Sequence, residues 1–371
     1  DVEAKADGSV TDAGSTGVGA AVAINVGDVS NEALVRNGAS VTGNGFDLRA
    51  DMTDVGGNQT HVFNAEATSG AAGGDTGIAG SLAINVGMSE TRALVEGAAS
   101  VDANGGVTHV EARGVSSDTA RALPKGGGAP AENTGVGASV AINVADHISR
   151  AEVMDGAGFS DTGGTTVQSY AESAIVTTAE GGAAGGTAVV PVLAVTVANQ
   201  DAIARLGTGA ILNAAGDVAV TSELRSTNTS KAEGKAEGSE DAAIGAAVVV
   251  NVEIDRNEAT LARSVTSTGD VDVTASGRTT TSAQAMASAV GGEQDSGSDA
   301  DGVNQRSNSG RNTGNSTAGN AGARGTGAAQ STPSAATAST DTGEGGGSDT
   351  VSVAAAVAVN ITETTSRARI S

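Results

Sequence analysis

The chain has 371 residues, with 43 acidic against 20 basic side chains for a net charge of −23, no Cys, no Trp, one Tyr, three Phe and 55 Gly. So acidic a chain, with no basic patch, excludes phosphate-driven nucleic-acid binding and electrostatic docking on anionic lipid. The lack of Cys excludes disulfides, thiolate nucleophiles and Cys zinc sites, and no apolar run reaches the roughly 18–20 residues of a spanning helix.

Ala, Val and Ile must build the core, and such small side chains suffice only where each layer buries the next. The first element is a strand-like block, Thr16-Gly-Val-Gly-Ala-Ala-Val-Ala-Ile-Asn-Val26. Alternation puts Val18, Val22, Ile24 and Val26 on one face and Gly19, Ala21, Ala23 and Asn25 on the other. Neither face carries charge, which predicts a strand covered on both sides or stacked in a continuous sheet. Two further strands follow, in which Glu32, Arg36, Asp47 and Arg49 oppose an apolar face and predict half exposure. A Gly/Ala/Ser-rich stretch, Ser69 to Gly74, closes the unit.

The unit recurs at Thr76 to Val86 and Thr134 to Val144, and in degenerate copies ending at Val197, Val252 and Ile361. Aligned on the penultimate polar residue, the anchors are Asn25, Asn85, Asn143, Thr196, Asn251 and Asn360, spaced by 60, 58, 53, 55 and 109 residues. Eight residues past each anchor stands an alanine: Ala33, Ala93, Ala151, Ala204, Ala259 and Ala368. Ten past it stands an aliphatic: Val35, Val95, Val153, Leu206, Leu261 and Ile370. An apolar residue follows at sixteen in the first four copies, Val41, Val101, Phe159 and Leu212.

This pattern predicts an all-β chain, a parallel β-helix or solenoid of tandem repeats of about 53–60 residues. With strands of five to nine residues and about 20–25 residues per coil, each repeat would make two or three coils. Residues 1–290 form the repeats. Residues 291–349, almost all Gly, Ser, Asn, Thr, Ala and Asp, have too little apolar surface to offset ordering and read as a disordered insertion or long surface loop. Residues 350–371 resume the solenoid and stop within a motif complete elsewhere, so the chain reads as an internal piece of something longer.

Chemistry is sparse. His61, His109 and His147 lie at +36, +24 and +4 from their anchors, which predicts scattered surface histidines and no metal or catalytic cluster. The Gly-rich stretches lack the phosphate-loop pattern and read as turns. Gly43 to Asp47 is the nearest approach to a calcium nonapeptide, and a single copy makes no site, although surface carboxylates leave room for loosely bound calcium. Glycan-cleaving β-helices pair carboxylates with aromatic platforms, which one Tyr and no Trp do not provide. The anchor series reads as a structural ladder, its side chains hydrogen-bonded along the stacking axis. No catalytic, cofactor or metal residue is assigned.

The blocks Gly-Val-Gly-Ala-Ser-Val-Ala-Ile-Asn-Val (135–144), Arg-Ala-Glu-Val (150–153) and Gly-Asp-Val-x-Val-Thr (216–221 and 269–274) resemble large repetitive adhesins of Gram-negative bacteria. These are the filamentous-haemagglutinin-like proteins and the Fusobacterium leukotoxin type, and the resemblance covers nearly all of the chain except 291–349. It implies a right-handed parallel β-helix, exported by type V or two-partner secretion to the cell surface or beyond. The expected role is a non-enzymatic repeat stalk engaging a receptor or glycan on host or neighbouring cells, with self-association along the solenoid axis. The alternatives are an extracellular filament subunit, a leukotoxin-like cytotoxin segment and, last, a glycan-degrading β-helix.

Overall fold

A computed structural model describes residues 1–11, 14–54, 56–293, 328–331, 335–343 and 351–371. Among these residues there is no helix; the fold is all-β, dominated by one large parallel sheet that nearly closes on itself. A parallel β-helix is compatible with this arrangement.

The anchor blocks form the front of the molecule. Strands Thr16–Val35, Thr76–Val95 and Thr134–Val153 lie side by side, followed by 187–206, 242–261 and Val351–Ile370. Pairing runs copy against copy, so Asn25 faces Asn85, which faces Asn143, and the series continues through Thr196 and Asn251 to Asn360. The back is formed by Val2–Val10, His61–Ala71, Val107–Pro124, the leading parts of Gly164–Leu206 and Val218–Leu261, and Val271–Glu293, also parallel. Gly164–Leu206 and Val218–Leu261 run unbroken from back to front, which joins the two faces into one sheet. Short strands make the connecting side: Ser40–Thr42, Ser100–Asp102 and Gly158–Ser160 align Val41, Val101 and Phe159, and Leu212–Ala214 pairs Val265–Ser267.

Two expectations change. Each strand pairs with its own copy one spacing along the chain, so a spacing of 53–60 residues advances each face of the sheet by one strand, where two or three coils were expected. The front strands are also 20 residues long rather than five to nine, because neither Pro nor a positive-φ residue interrupts 16–35, 76–95 or 134–153. The spacing of 109 is likewise one step of the sheet, since Asn251 pairs directly with Asn360. Within the expected insertion at 291–349, Ala328–Ser331 and Ala335–Gly343 are strands paired with Val271–Glu293. Most of the remainder lies outside the described residues.

Between front and back, besides two three-residue clusters (Ala145, Ile175 and Ala198; Ala171, Ala202 and Leu224), lie two large apolar clusters. One is almost all alanine, including Ala23, Ala83, Ala141 and Ala194 from the front against Ala67, Ala122 and Ala179 from the back. The faces come so close there that a Cβ at Gly19 would collide with the Gly70 carbonyl oxygen, and one at Gly137 with that of Gly182. The other cluster is wider and holds Val95, Val153, Leu206, Val101 and Phe159. Most of the +8 alanines and +10 aliphatics are buried in it. The exceptions lie on the outermost strands, where Ala33 is half-buried and Ala368 and Ile370 are exposed.

Candidate functional site

A band of polar side chains separates the two clusters. On the front it is built by the anchor and, in all but the first strand, the residue four beyond it; two beyond the anchor only Glu253 and Thr362 are polar, the other strands having Gly27, Gly87, Ala145 and Ala198 there. The anchors form a partial ladder: Asn25 Nδ2 donates to Asn85 Oδ1 at 2.8 Å, and Asn85 Nδ2 to Asn143 Oδ1 at 2.9 Å. Asn143 Nδ2 then turns across the interior to the carbonyls of Asp118 and Val176, at 3.1 and 3.3 Å. Thr196 is too short to reach its neighbours and bonds Thr177 and Ser230 on the back strands instead, at 2.6 and 2.7 Å. The ladder resumes where Asn251 Nδ2 donates to Asn360 Oδ1 at 2.9 Å.

Two positions of this band carry ionisable groups, and of the residues that gather there only the histidines were singled out in the sequence. At +4, Ser89 Oγ lies 2.8 Å from His147 Nδ1, and His147 Nε2 lies 2.7 Å from Asp118 Oδ2 on the back strand. All three residues are buried. Phe63 stacks on His147 with ring centroids 6.0 Å apart and on His61 at 6.4 Å. Burial pushes the Asp118 carboxyl up, against the pull of His147. Burial also holds the His61 imidazole below its usual range, with the His147 charge adding to the effect.

The expectation of scattered surface histidines is therefore overturned for two of the three. Offsets of +4 and +36 are far apart along one repeat, but they lie on front and back strands at the same depth of the cross-section. Gly27 and Gly87 make the room, since a side chain at either would strike the Phe63 ring. His109 takes the other parity of its strand, is only partly buried and stays apart from the cluster.

The second group is Glu253 and Asp255, at +2 and +4 from Asn251, both out of solvent. Glu253 accepts from Ser226 and, at 2.7 Å, from Asn228 Nδ2; Asp255 accepts from Thr279. Burial raises both carboxyls, and the Glu253 charge raises Asp255 further, so Asp255 is the harder to ionise. Asp255 Oδ1 and Asn228 Oδ1 are buried without a hydrogen-bond partner.

Ser, His and a carboxylate are the ingredients of a nucleophilic relay, but here they face the interior. The adjoining cavity, lined by Ser89, Ser116, His147 and Gln200 among others, holds about 10 Å³. That is the room of a single water and not of a substrate. The arrangement ties the front strands to the back through Ser89, His147 and Asp118, with Asp118 Oδ1 and Ser116 Oγ buried and without a hydrogen-bond partner. Tyr170 offers no free stacking platform, because Arg113 and Arg225 lie 5.1 and 5.8 Å from its ring centroid. Among the described residues, no group of three acidic or imidazole side chains could hold a metal ion, and no helix is long and apolar enough to cross a membrane.

The outside of the front is the other unusual surface. Val18, Val22, Ile24 and Val26 point outward and are 56–61 % exposed, whereas Ala21, Ala23 and Asn25 point inward. Of the two arrangements expected for this strand, covered on both sides or stacked in a continuous sheet, it takes the second, and its Val/Ile face is left uncovered. Strand register repeats these outward positions as four columns across six strands, and every member is Val, Ile or Leu, from Ile78, Leu82, Ile84 and Val86 to Val353, Val357, Val359 and Ile361. By contrast, the outer back face carries a column of Lys5, Glu66, Arg121, Thr178 and Lys231.

No protein family, curated protein or solved structure matches the chain.

Proposed function

We propose that the chain is a stalk segment of a large secreted or surface-anchored bacterial adhesin, a right-handed β-solenoid that holds a binding element away from the cell. The observation that carries this reading is the pairing of the anchors Asn25, Asn85, Asn143, Thr196, Asn251 and Asn360 in one continuous parallel register. A stack of this kind lengthens by about 4.8 Å for each winding added, which suits a spacer. A buried relay without access for a substrate, and a sole tyrosine occupied by two arginines, support a structural role over a catalytic one.

In-frame deletion of residues 76–133 tests the architecture. It removes one winding and brings Asp75 to Thr134, the register partner of Thr76. The shortened protein should keep a cooperative melt and a β-type circular dichroism spectrum; its unfolding would overturn the solenoid. The role is tested in cells displaying the full reading frame, where replacement of the segment by an unrelated solenoid of equal length should preserve adhesion and its removal should weaken it. Adhesion indifferent to both changes, or glycan cleavage or cell damage by the purified protein, would sink the stalk reading.

A further inference from the structure

The outer front face is the surface least suited to water. Its columns carry Val, Ile and Leu at every position, and the two columns interleaved with them hold only Thr, Ala, Gly, Pro and Val, so the whole field is without charge. Six strands about 4.8 Å apart and nine residues rising about 3.3 Å each cover on the order of 700 Å². That is larger than the apolar patches usual on monomers and close to the roughly 800 Å² that one partner buries in a standard stable interface.

The field ends abruptly. Further along the same strands the outward positions become Asp28, Glu32, Arg92, Glu258 and Arg367, bonded into ion pairs such as Arg92 with Glu32 and Arg256 with Glu258. On a chain of net charge −23, the field itself is the part of the front on which two copies can meet without opposing like charges; the charges lie beyond its two ends, in this strip and in Asp75, Glu132 and Asp241 before the threonine edge.

We infer that this face pairs with the same face of a second copy. The symmetry follows from the charge pattern. A two-fold axis lying in the interface along the stacking direction reverses the strands of one copy over those of the other. Each charged strip then hangs beyond the partner's threonine edge, at Thr16, Thr76, Thr134 and Thr187, and the aliphatic columns meet as in two sheets packed face to face. The two stacks run side by side in the same direction. This is lateral pairing, distinct from association end to end along the axis, and it does not depend on the adhesin reading.

Sedimentation of the whole chain from about 1 µM to about 1 mM should reveal a dimer. Because burial of apolar surface drives the contact and net charge opposes it, raising NaCl from about 0.05 to about 0.5 M should tighten the dimer several-fold. Ile84→Lys with Val195→Lys places two charges at the centre of the field without touching the interior. This variant should be monomeric with an unchanged melt, while Thr229→Lys on the opposite face should remain dimeric. A wild-type chain that is monomeric throughout, a dimer that survives the double substitution, or a dimer weakened by salt would overturn the pairing. So would a monomer that instead binds neutral phosphatidylcholine vesicles. If the double variant fails to fold, the salt response of the wild-type chain still decides.

Discussion

His147 and Asp118, 29 residues apart and on opposite faces of the winding, meet in the interior with Nε2 2.7 Å from Oδ2. The contact ties front to back at the depth where the band of polar residues separates two apolar clusters. It also leaves Ser89 and Phe63 dependent on the same ring.

Loss of that ring should be severe. His147→Ala removes the partner of a buried carboxylate, the Ser89 hydrogen bond and one face of the Phe63 stack. Breaking a buried pair from one side costs about 3–5 kcal/mol. The midpoint of guanidinium unfolding should fall accordingly. Asp118→Asn, which keeps a hydrogen-bonding group of the same shape, should fall much less, and equal losses from the two changes would refute the pairing as described.

The anchor column makes a graded prediction. Asn85→Ala strands Asn25 Nδ2 and Asn143 Oδ1, and each buried group left unsatisfied costs about 1–3 kcal/mol. Asn85→Thr should be milder, because Thr196 already holds this position with hydroxyl bonds across to the back strands. Chemical denaturation of the two variants side by side gives the order, and a threonine no better than alanine would remove the ladder from the stability of the fold.

Asp255 sets a pH dependence of definite sign. Its carboxyl is raised in the folded chain, above the ordinary value of 3.8. Stability is therefore full below that ordinary value, where folded and unfolded chains both hold the proton. As pH rises further the unfolded chain releases its proton while the folded one retains it, and stability declines until the folded pKa is passed, by about 1.4 kcal/mol for each pH unit of the interval. Glu253 acts in the same direction. Asp255→Asn keeps the shape and an acceptor for Thr279 without the ionisation. Melting of wild type and variant from about pH 4 to about pH 8 should therefore diverge, the wild type losing more with rising pH; parallel curves would mean that Asp255 is not the source.

Glycines of one type should behave in opposite ways according to the side they face. Gly137→Ala drives a methyl group into the Gly182 carbonyl, while a Cβ at Gly80 meets nothing within 4 Å. Gly137→Ala should lower the melting temperature sharply. Gly80→Ala should match or slightly exceed wild type, since alanine restricts the unfolded chain. Similar melting temperatures for the two would mean that front and back are not so closely apposed.

The sequence by itself determined which residues are equivalent, because repetition of the anchor with its +8 alanine and +10 aliphatic fixes one register, and a slip of one residue would turn every side chain to the wrong face. It also marked the outward charges of Glu32, Arg36, Asp47 and Arg49. That equivalents pair directly, Asn25 beside Asn85 and Val35 beside Val95, with no further coil between them, was decided by the structure. Only the tertiary structure decided which side of the front strand is inside. By hydrophobicity Val22 and Ile24 belong in the core and Asn25 in water, yet the opposite holds, because the faces lie too close near Gly19 and Gly137 for more than alanine or glycine and the polar band takes the asparagines. The meeting of His61, Phe63, Asp118 and His147 was decided there too, since residues distant along one repeat become neighbours only when a winding is flattened to a particular depth, and that depth belongs to two apposed strands and to neither one alone.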